Sequence, residues 1–389
     1  MKTNIFSVLD YGAKSDATHL QTKALQAAID ACHKAGGGEV LIPEGTYLTG
    51  SLRLYSHITL HLLSKAKLLG SNDYKDYEDF HVPSTLGYLK DPFYVKEWNL
   101  PPYYIYGLIC AFDEEDICIV GEEGAVLDGQ DCQDTKGEEG FRGPMGIIFC
   151  RCHHLRLQGY TFQNSANWSH QLDSCKEVAI EGVTILAGHD GFNLHHCRNI
   201  NIKHCHLETG DDCIAGYDIK HLKVSDCYLN TACNSLRIGG QHILLERCLF
   251  EGPGKYPHLS EGSFDTHAIF KYYSIRSDEK QEEGDDIVLS HCEIRHARRL
   301  LSYHYRKEGL HQDLYPLRSL RFEDCQIEDM KESSIFCGNG ERGRLIFQNV
   351  RIRQSTSAIN IPFLETDACI CLEWEKVEVE TPILLTVHP

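Results

Sequence analysis

The chain is short of positive charge: 38 Lys and Arg stand against 56 Asp and Glu, a formal net charge of −18 over 389 residues. That balance argues against nucleic acid as a partner. It also means that an anionic ligand would need basic side chains gathered locally. No apolar run is long enough to span a bilayer, so no membrane partner is expected. The opening residues, MKTNIFSVLDYGAK, lack an apolar h-region and a small-residue cleavage site, which leads to the expectation of a cytoplasmic protein. Paired CxxC spacing is missing too, although there are eighteen cysteines. CRCHH (150–154) and HHC (195–197) offer zinc-type ligands without that spacing, so the expectation is reduced thiols with no metal and no cofactor.

What the sequence does have is a repeat. Apolar residues recur as Leu155, Leu157, Tyr160, Phe162, then Val178, Ile180, Val183, Ile185, then Ile200, Ile202, Cys205, Leu207. The same pattern returns at Leu222, Val224, Cys227, Leu229 and at Ile243, Leu245, Cys248, Phe250. Later copies begin at Ile287, Leu320, Leu345 and Leu372. From Tyr160 to Cys248 the steps are 23, 22, 22 and 21 residues, and the next step, to Cys292, is 44. Alternation of apolar positions signals strands, and a period near 22 is one turn of a parallel β-solenoid. The double step predicts one degenerate coil within residues 262–277. Stacking aligns equivalent positions, so Cys205, Cys227, Cys248, Cys292 and Cys325 are expected to form an interior ladder of small hydrophobes.

A solenoid needs caps. QTKALQAAIDACHKAGGG (21–38) predicts an amphipathic helix with Leu25, Ala28, Ile29 and Cys32 on its apolar face, ended by glycines. The expected organisation is one all-β domain over 1–389, a right-handed parallel β-helix of roughly ten coils with its N-terminal cap in about residues 1–50. An aromatic-rich insertion at 73–107 interrupts the period. Its Trp98, Tyr103 and Tyr104 either stack on sugar rings or anchor the insertion.

Five motifs, in order, carry a resemblance. FSVLDYGAKSD with AIDACHKAGGGEVLIPEGTYLTGSL, GAVLDGQD (124–131), FQNSANW (162–168), GHDG (188–191) and GDD (210–212) are similar to the corresponding stretches of glycoside hydrolase family 28, the polygalacturonases. The resemblance implies an inverting glycosidase acting on pectic or related plant polysaccharides. It also implies that Asp211 is the general acid, with Asp190 and Asp212 activating water. The repeat itself places Asp190, Asp212 and Asn234 each five residues after Ile185, Leu207 and Leu229, hence on successive rungs. Gly210 suggests a turn from which both Asp211 and Asp212 face outward, and crowding is expected to raise the carboxyl of the acid.

The chain also departs from that family. Its "G-H-G" corresponds to Ala232, Cys233 and Asn234, so a cysteine stands for the supporting histidine. Its carboxylate-binding "R-I-K" has no clean match; Lys271, then Arg276, are the nearest substitutes. Stacking puts Asn193, Ala215 and Arg237 at one outward position, making Arg237 a candidate for substrate binding. Asn193, Gln171 and Tyr303 complete the candidate binding set, with Tyr305 as an alternative to Tyr303. Two other readings stay open: a β-helix polysaccharide lyase, which would need a carboxylate calcium site, and a carbohydrate-binding solenoid without turnover. Sugar, linkage, exo or endo action, and oligomeric state are not legible.

Overall fold

A computed structural model describes residues 4–87, 95–96, 105–275, 278, 281–306, 315–355 and 361–389. Trp98, Tyr103, Tyr104 and Arg276 lie outside the described residues. The chain forms two compact units, Met1–Asn193 with Cys197–Ile200, and Leu194–His196 with Asn201–Pro389. Each is a stack of parallel strands, and the fold is a right-handed parallel β-helix. No described helix is long and apolar enough to cross a membrane.

In the first unit the helix Thr22–Lys34 buries Leu25, Ala28, Ile29 and Cys32. It packs on strands Ile5–Ser7 and Gly38–Ile42, as the 3.6-residue periodicity requires. At Gly37 the backbone turns at φ +108°, and a Cβ there would sit 2.5 Å from the His57 carbonyl oxygen, so only glycine fits. Strand Gly38–Ile42 then pairs with Ile58–Leu62, which pairs with Cys118–Gly121, then His153–Gln158, then Lys176–Glu181. Two further parallel runs follow the same order. One joins Leu52–Arg53, Gly107–Phe112, Met145–Cys150 and His170–Asp173. The other starts at Gly45–Thr49 and ends at Thr184–Ala187.

The second unit repeats the plan. Its strands Ile214–Ser225 and Asn234–Glu246 are long because each bends through two faces without a break. Their register shifts between Gly216 and Ile219, and Gly216 has φ +135°. The anticipated degenerate coil is present as strand Ala268–Tyr272, which sets Lys271 beside Arg237. Burial alternates along strands such as Ile58–Leu62 and Ser319–Glu323, and stacked aromatics such as Phe322, Phe347 and Trp374, 5.2 and 4.6 Å apart, continue the core toward the last coils.

The cysteine ladder occupies one corner of this unit. Cys205, Cys227, Cys248, Cys292 and Cys325 are free and buried. Each thiol donates to the carbonyl two residues earlier, at 3.1–3.5 Å. The residue before each cysteine (His204, Asp226, Arg247, His291, Asp324) has φ of +52 to +54°. That left-handed step swings the chain from one sheet to the next, and Asp and His accept it more readily than most side chains. A second ladder, unnoticed in the sequence pattern, runs through Cys152, Cys175 and Cys197 of the first unit, whose thiols donate to the carbonyls of Cys150, Phe149 and Leu172.

Candidate active site

The site is assembled at the bend between strands His206–Thr209 and Ile214–Ser225. Thr209 and Thr231 both donate hydroxyl hydrogen bonds to the Asp211 carbonyl, pinning the turn from its own coil and from the next. The Asp211 carboxylate accepts from the Asp212 N–H at 3.0 Å, and its side chain is 16% exposed. Asp212 is 1% exposed. The expectation that both face outward therefore holds for Asp211 only: the bend is there, but the side chains of the next coils close over its second aspartate.

Asp212 is held by that coil. Asn234 donates to its Oδ1 from the backbone (3.1 Å) and from Nδ2 (2.7 Å). The Arg237 guanidinium lies 3.6 Å from its Oδ2. Burial, then the neighbouring Asp211 charge, raises the Asp212 carboxyl above the ordinary range, against the pull of Arg237, Asn234 and Lys271. Burial leads among these causes because Asp212 is the member of the pair removed from water.

Two basic residues stand at one outward position. Ala215, Arg237, Lys271 and Ser302 follow one another in register. Arg237 lies over the Tyr273 ring at 4.1 Å, which orients its guanidinium toward Asp212. Lys271 is half-buried, and desolvation, then the Arg237 charge, lowers its ammonium below the usual value. A cleft of ≈ 280 Å³ opens beside them, its lining including Asn234, Glu261, His267, Lys271, Arg298 and Arg299. Arg298 and Arg299 both pair with Glu332, so Lys271 is the base in this cleft whose surroundings most favour an arriving anion.

The other candidates divide. Tyr303 is fully buried, packs on Tyr272 and Phe336, and its hydroxyl accepts from the Leu317 N–H. It is a core residue, a correction to its assignment as a sugar contact; strict alternation along Arg299–His304 turns it inward. Tyr305 is buried as well. In the first unit, Asn193 donates to Asp190 Oδ2 at 2.9 Å, so it serves to hold that carboxylate. Gln171 is buried with neither its Nε2 nor its Oε1 hydrogen-bonded among the described residues. An orphaned buried amide of that kind usually awaits water or a ligand. The motifs GAVLDGQD and FQNSANW interlock there: Asp128 accepts from Gln163 Nε2 at 2.7 Å and Asn164 Nδ2 at 3.0 Å. Their role is to brace adjacent coils.

Sequence reasoning missed the histidines of the segment before Lys271. His258 Nε2 lies 3.7 Å from Asp211 Oδ1. His267 Nδ1 lies 3.8 Å from Cys233 Sγ, with its Nε2 3.1 Å from Glu261. The period is broken in this segment, so no repeat position pointed to either; only the two histidines in KYPHLSEGSFDTH hinted at them. Asp211, Cys233 and His258 offer ligand atoms within 4.8 Å of one another, the donor set of a soft divalent ion. Yet the Glu261 N–H donates to His258 Nδ1 at 3.2 Å, leaving the ring proton on Nε2 and pointed at Asp211. Burial, then the Asp212 charge, also keeps the Cys233 thiol well above its ordinary value.

Known proteins place this architecture. The family model described as glycosyl hydrolases family 28 matches residues 32–240, more than half of the chain. A probable polygalacturonase of Vitis vinifera is 30% identical over 221 residues, 54% of this chain and 43% of that protein. The family 28 exopolygalacturonase of Yersinia enterocolitica superposes with a TM-score of 0.71 at 19% identity, over 99% of this chain and 78% of that one. The hyperthermoactive exopolygalacturonase of Thermotoga maritima gives 0.71 at 17%, over 97% and 92%. These structural likenesses are likenesses of fold, and the chain spans less than half the length of the grape relative. The family match rests on sequence and on the coils that carry the aspartates: this chain belongs to glycosyl hydrolases family 28.

Proposed function

We propose that this chain hydrolyses glycosidic bonds of pectic or related plant polysaccharides with inversion at the anomeric carbon. Asp211 gives its proton to the leaving glycosidic oxygen as the C–O bond breaks. A water attacks the anomeric carbon from the opposite face, and Asp212, with Asp190, orients it and takes its proton. Inverting enzymes usually hold acid and base carboxyls about 6.5–9.5 Å apart; Asp211 and Asp212 offer oxygens within 4.8 Å of each other, so the pair must part to admit the water. Asp190 enters through the sequence: it precedes Asp212 by 22 residues, one period of the repeat.

The observation that carries the proposal is the Asp211–Asp212 bend. One carboxyl, Asp211, is partly exposed; the other, Asp212, is buried among Asn234, Arg237 and Lys271, whose donors and charges favour its ionised form against burial and the Asp211 charge. Adjacent carboxyls in unlike surroundings hold one proton between them, which supplies an acid and a base at the same pH. Lys271 and Arg237 supply the local positive charge that an acidic sugar requires on a chain of net charge −18. The experiment is incubation with defined pectic oligosaccharides, products resolved by size and the first-formed anomer followed by NMR before mutarotation. Inverted product is expected; retained configuration, an unsaturated product or no turnover would overturn the proposal.

A further inference from the structure

We infer that His258 is a positioning residue for Asp211, its Nε2–H held so as to stabilise the carboxylate that Asp211 becomes on giving up its proton. The inference rests on the general-acid reading of Asp211 above. Three observations carry it. His258 Nε2 stands 3.7 Å from Asp211 Oδ1, in a pocket where the two side chains are only 12% and 16% exposed. The Glu261 N–H donates to Nδ1, which fixes the neutral tautomer with its proton on Nε2. The ring's backbone is clamped, His258 N–H donating to the Ser263 carbonyl and Gly262 N–H to that of His258, so the imidazole is set by a closed turn.

The chemistry follows from charge. While Asp211 carries its proton, an N–H 3.7 Å away contributes little. As the proton moves to the leaving oxygen, negative charge grows on Asp211, and the same N–H shortens into a charge-assisted hydrogen bond. An interaction stronger in the transition state than in the ground state raises kcat and leaves KM alone. Other charged or titrating groups face this imidazole and its partner: Glu261 and His267 from the same segment, Cys233 from the next coil, Lys271 from the coil after it, and Asp212 beside Asp211. None of these offers Asp211 a second ring N–H: His267 directs Nδ1 at Cys233 and Nε2 at Glu261.

The test compares His258→Leu, which removes the donor, with His258→Gln, which restores a non-titrating N–H donor, and with Asp211→Asn, all checked for fold by circular dichroism. His258→Leu should lose roughly 10- to 100-fold in kcat with little change in KM, the worth of one hydrogen bond to a charged group. Its alkaline pH limb should move upward, because a carboxylate that loses a donor becomes a weaker acid. His258→Gln should recover most of kcat and return the limb toward its native position. Native kcat and pH limb in His258→Leu, with Asp211→Asn inactive, would overturn the inference alone. An active Asp211→Asn would overturn the general-acid reading on which it stands.

Discussion

Two sides of the same coils obey opposite rules. At the corner of the second unit, equivalent positions repeat one residue: Cys205, Cys227, Cys248, Cys292 and Cys325. At the outward position of the neighbouring face the equivalents are Ala215, Arg237, Lys271, Ser302 and Ile335. The corner is uniform because stacking asks the same question of every rung: a small, apolar side chain able to donate weakly to the carbonyl two residues back. The outward face is heterogeneous because stacking asks nothing of it, so ligand chemistry decides each residue. In a repeating fold, monotony marks what holds the coils together and departure from it marks what the coils are for.

The largest effect that could break this contrast lies on the irregular side. Asp211→Asn keeps the shape of the bend and removes the transferable proton. Activity on a verified oligosaccharide should fall by about two or more orders of magnitude with an unchanged circular dichroism spectrum. Arg237→Ala comes next, with an expected rise in KM of about tenfold. It also strips positive charge from beside Asp212, so the pH limb governed by that carboxyl should shift upward and melting at pH 7 should fall, the loss vanishing near pH 3.

Asp212→Asn separates function from stability. A carboxyl whose folded value is raised contributes stability that is full below its unfolded value and is lost as pH rises through the folded one. At neutral pH the folded chain therefore carries the cost of a buried charge, which the amide removes. The variant should be inactive, yet melt about 2–4 °C higher at pH 7. The gain should vanish near pH 3. A melting temperature lowered at pH 7 would show Asp212 to be a structural residue.

The smallest effects belong to the regular side. Hydrogen bonding to the neighbouring thiol, together with burial, raises Cys227 and Cys248 to about 12. Thiol titration of the native protein should show a fast phase from exposed Cys371, slower reaction at Cys118 and Cys369, and the remaining cysteines only on unfolding. Cys248→Val should cost less than about 1.5 kcal/mol, as volume-conserving swaps do. Rapid labelling throughout would deny the ladder its burial.

How much of this was legible in the sequence follows the same division. The 22-residue period, the capping helix and the cysteine corner were readable because each is a repeated or periodic demand. Lys271 was singled out as the nearest basic substitute in the segment taken for the degenerate coil, and the register sets it beside Arg237. Tyr303 was misplaced because it came from the resemblance, which calls for a tyrosine from a later coil, whereas the register sets it beside the core residue Phe336. His258 and His267 escaped because they sit on an excursion that no period governs. The burial of Asp212 escaped because covering by the side chains of the next coil is not written in its own coil.

The pairing of Ile214–Ser225 with Asn234–Glu246 has a consequence in time. These strands run together from the coil of the acid pair to that of Arg237, joined along both faces. Units stacked in this way touch only their neighbours, so opening proceeds rung by rung rather than all at once. Amide hydrogens of Leu222, Val224, Ile243 and Leu245 should be among the last to exchange with deuterium, and those of strand Glu378–Val379, with exposed side chains, among the first. The Asp211–Asp212 bend then hangs from the slowest-breathing part of the chain, and its carboxylates keep their spacing through fluctuations that undo the outer coils.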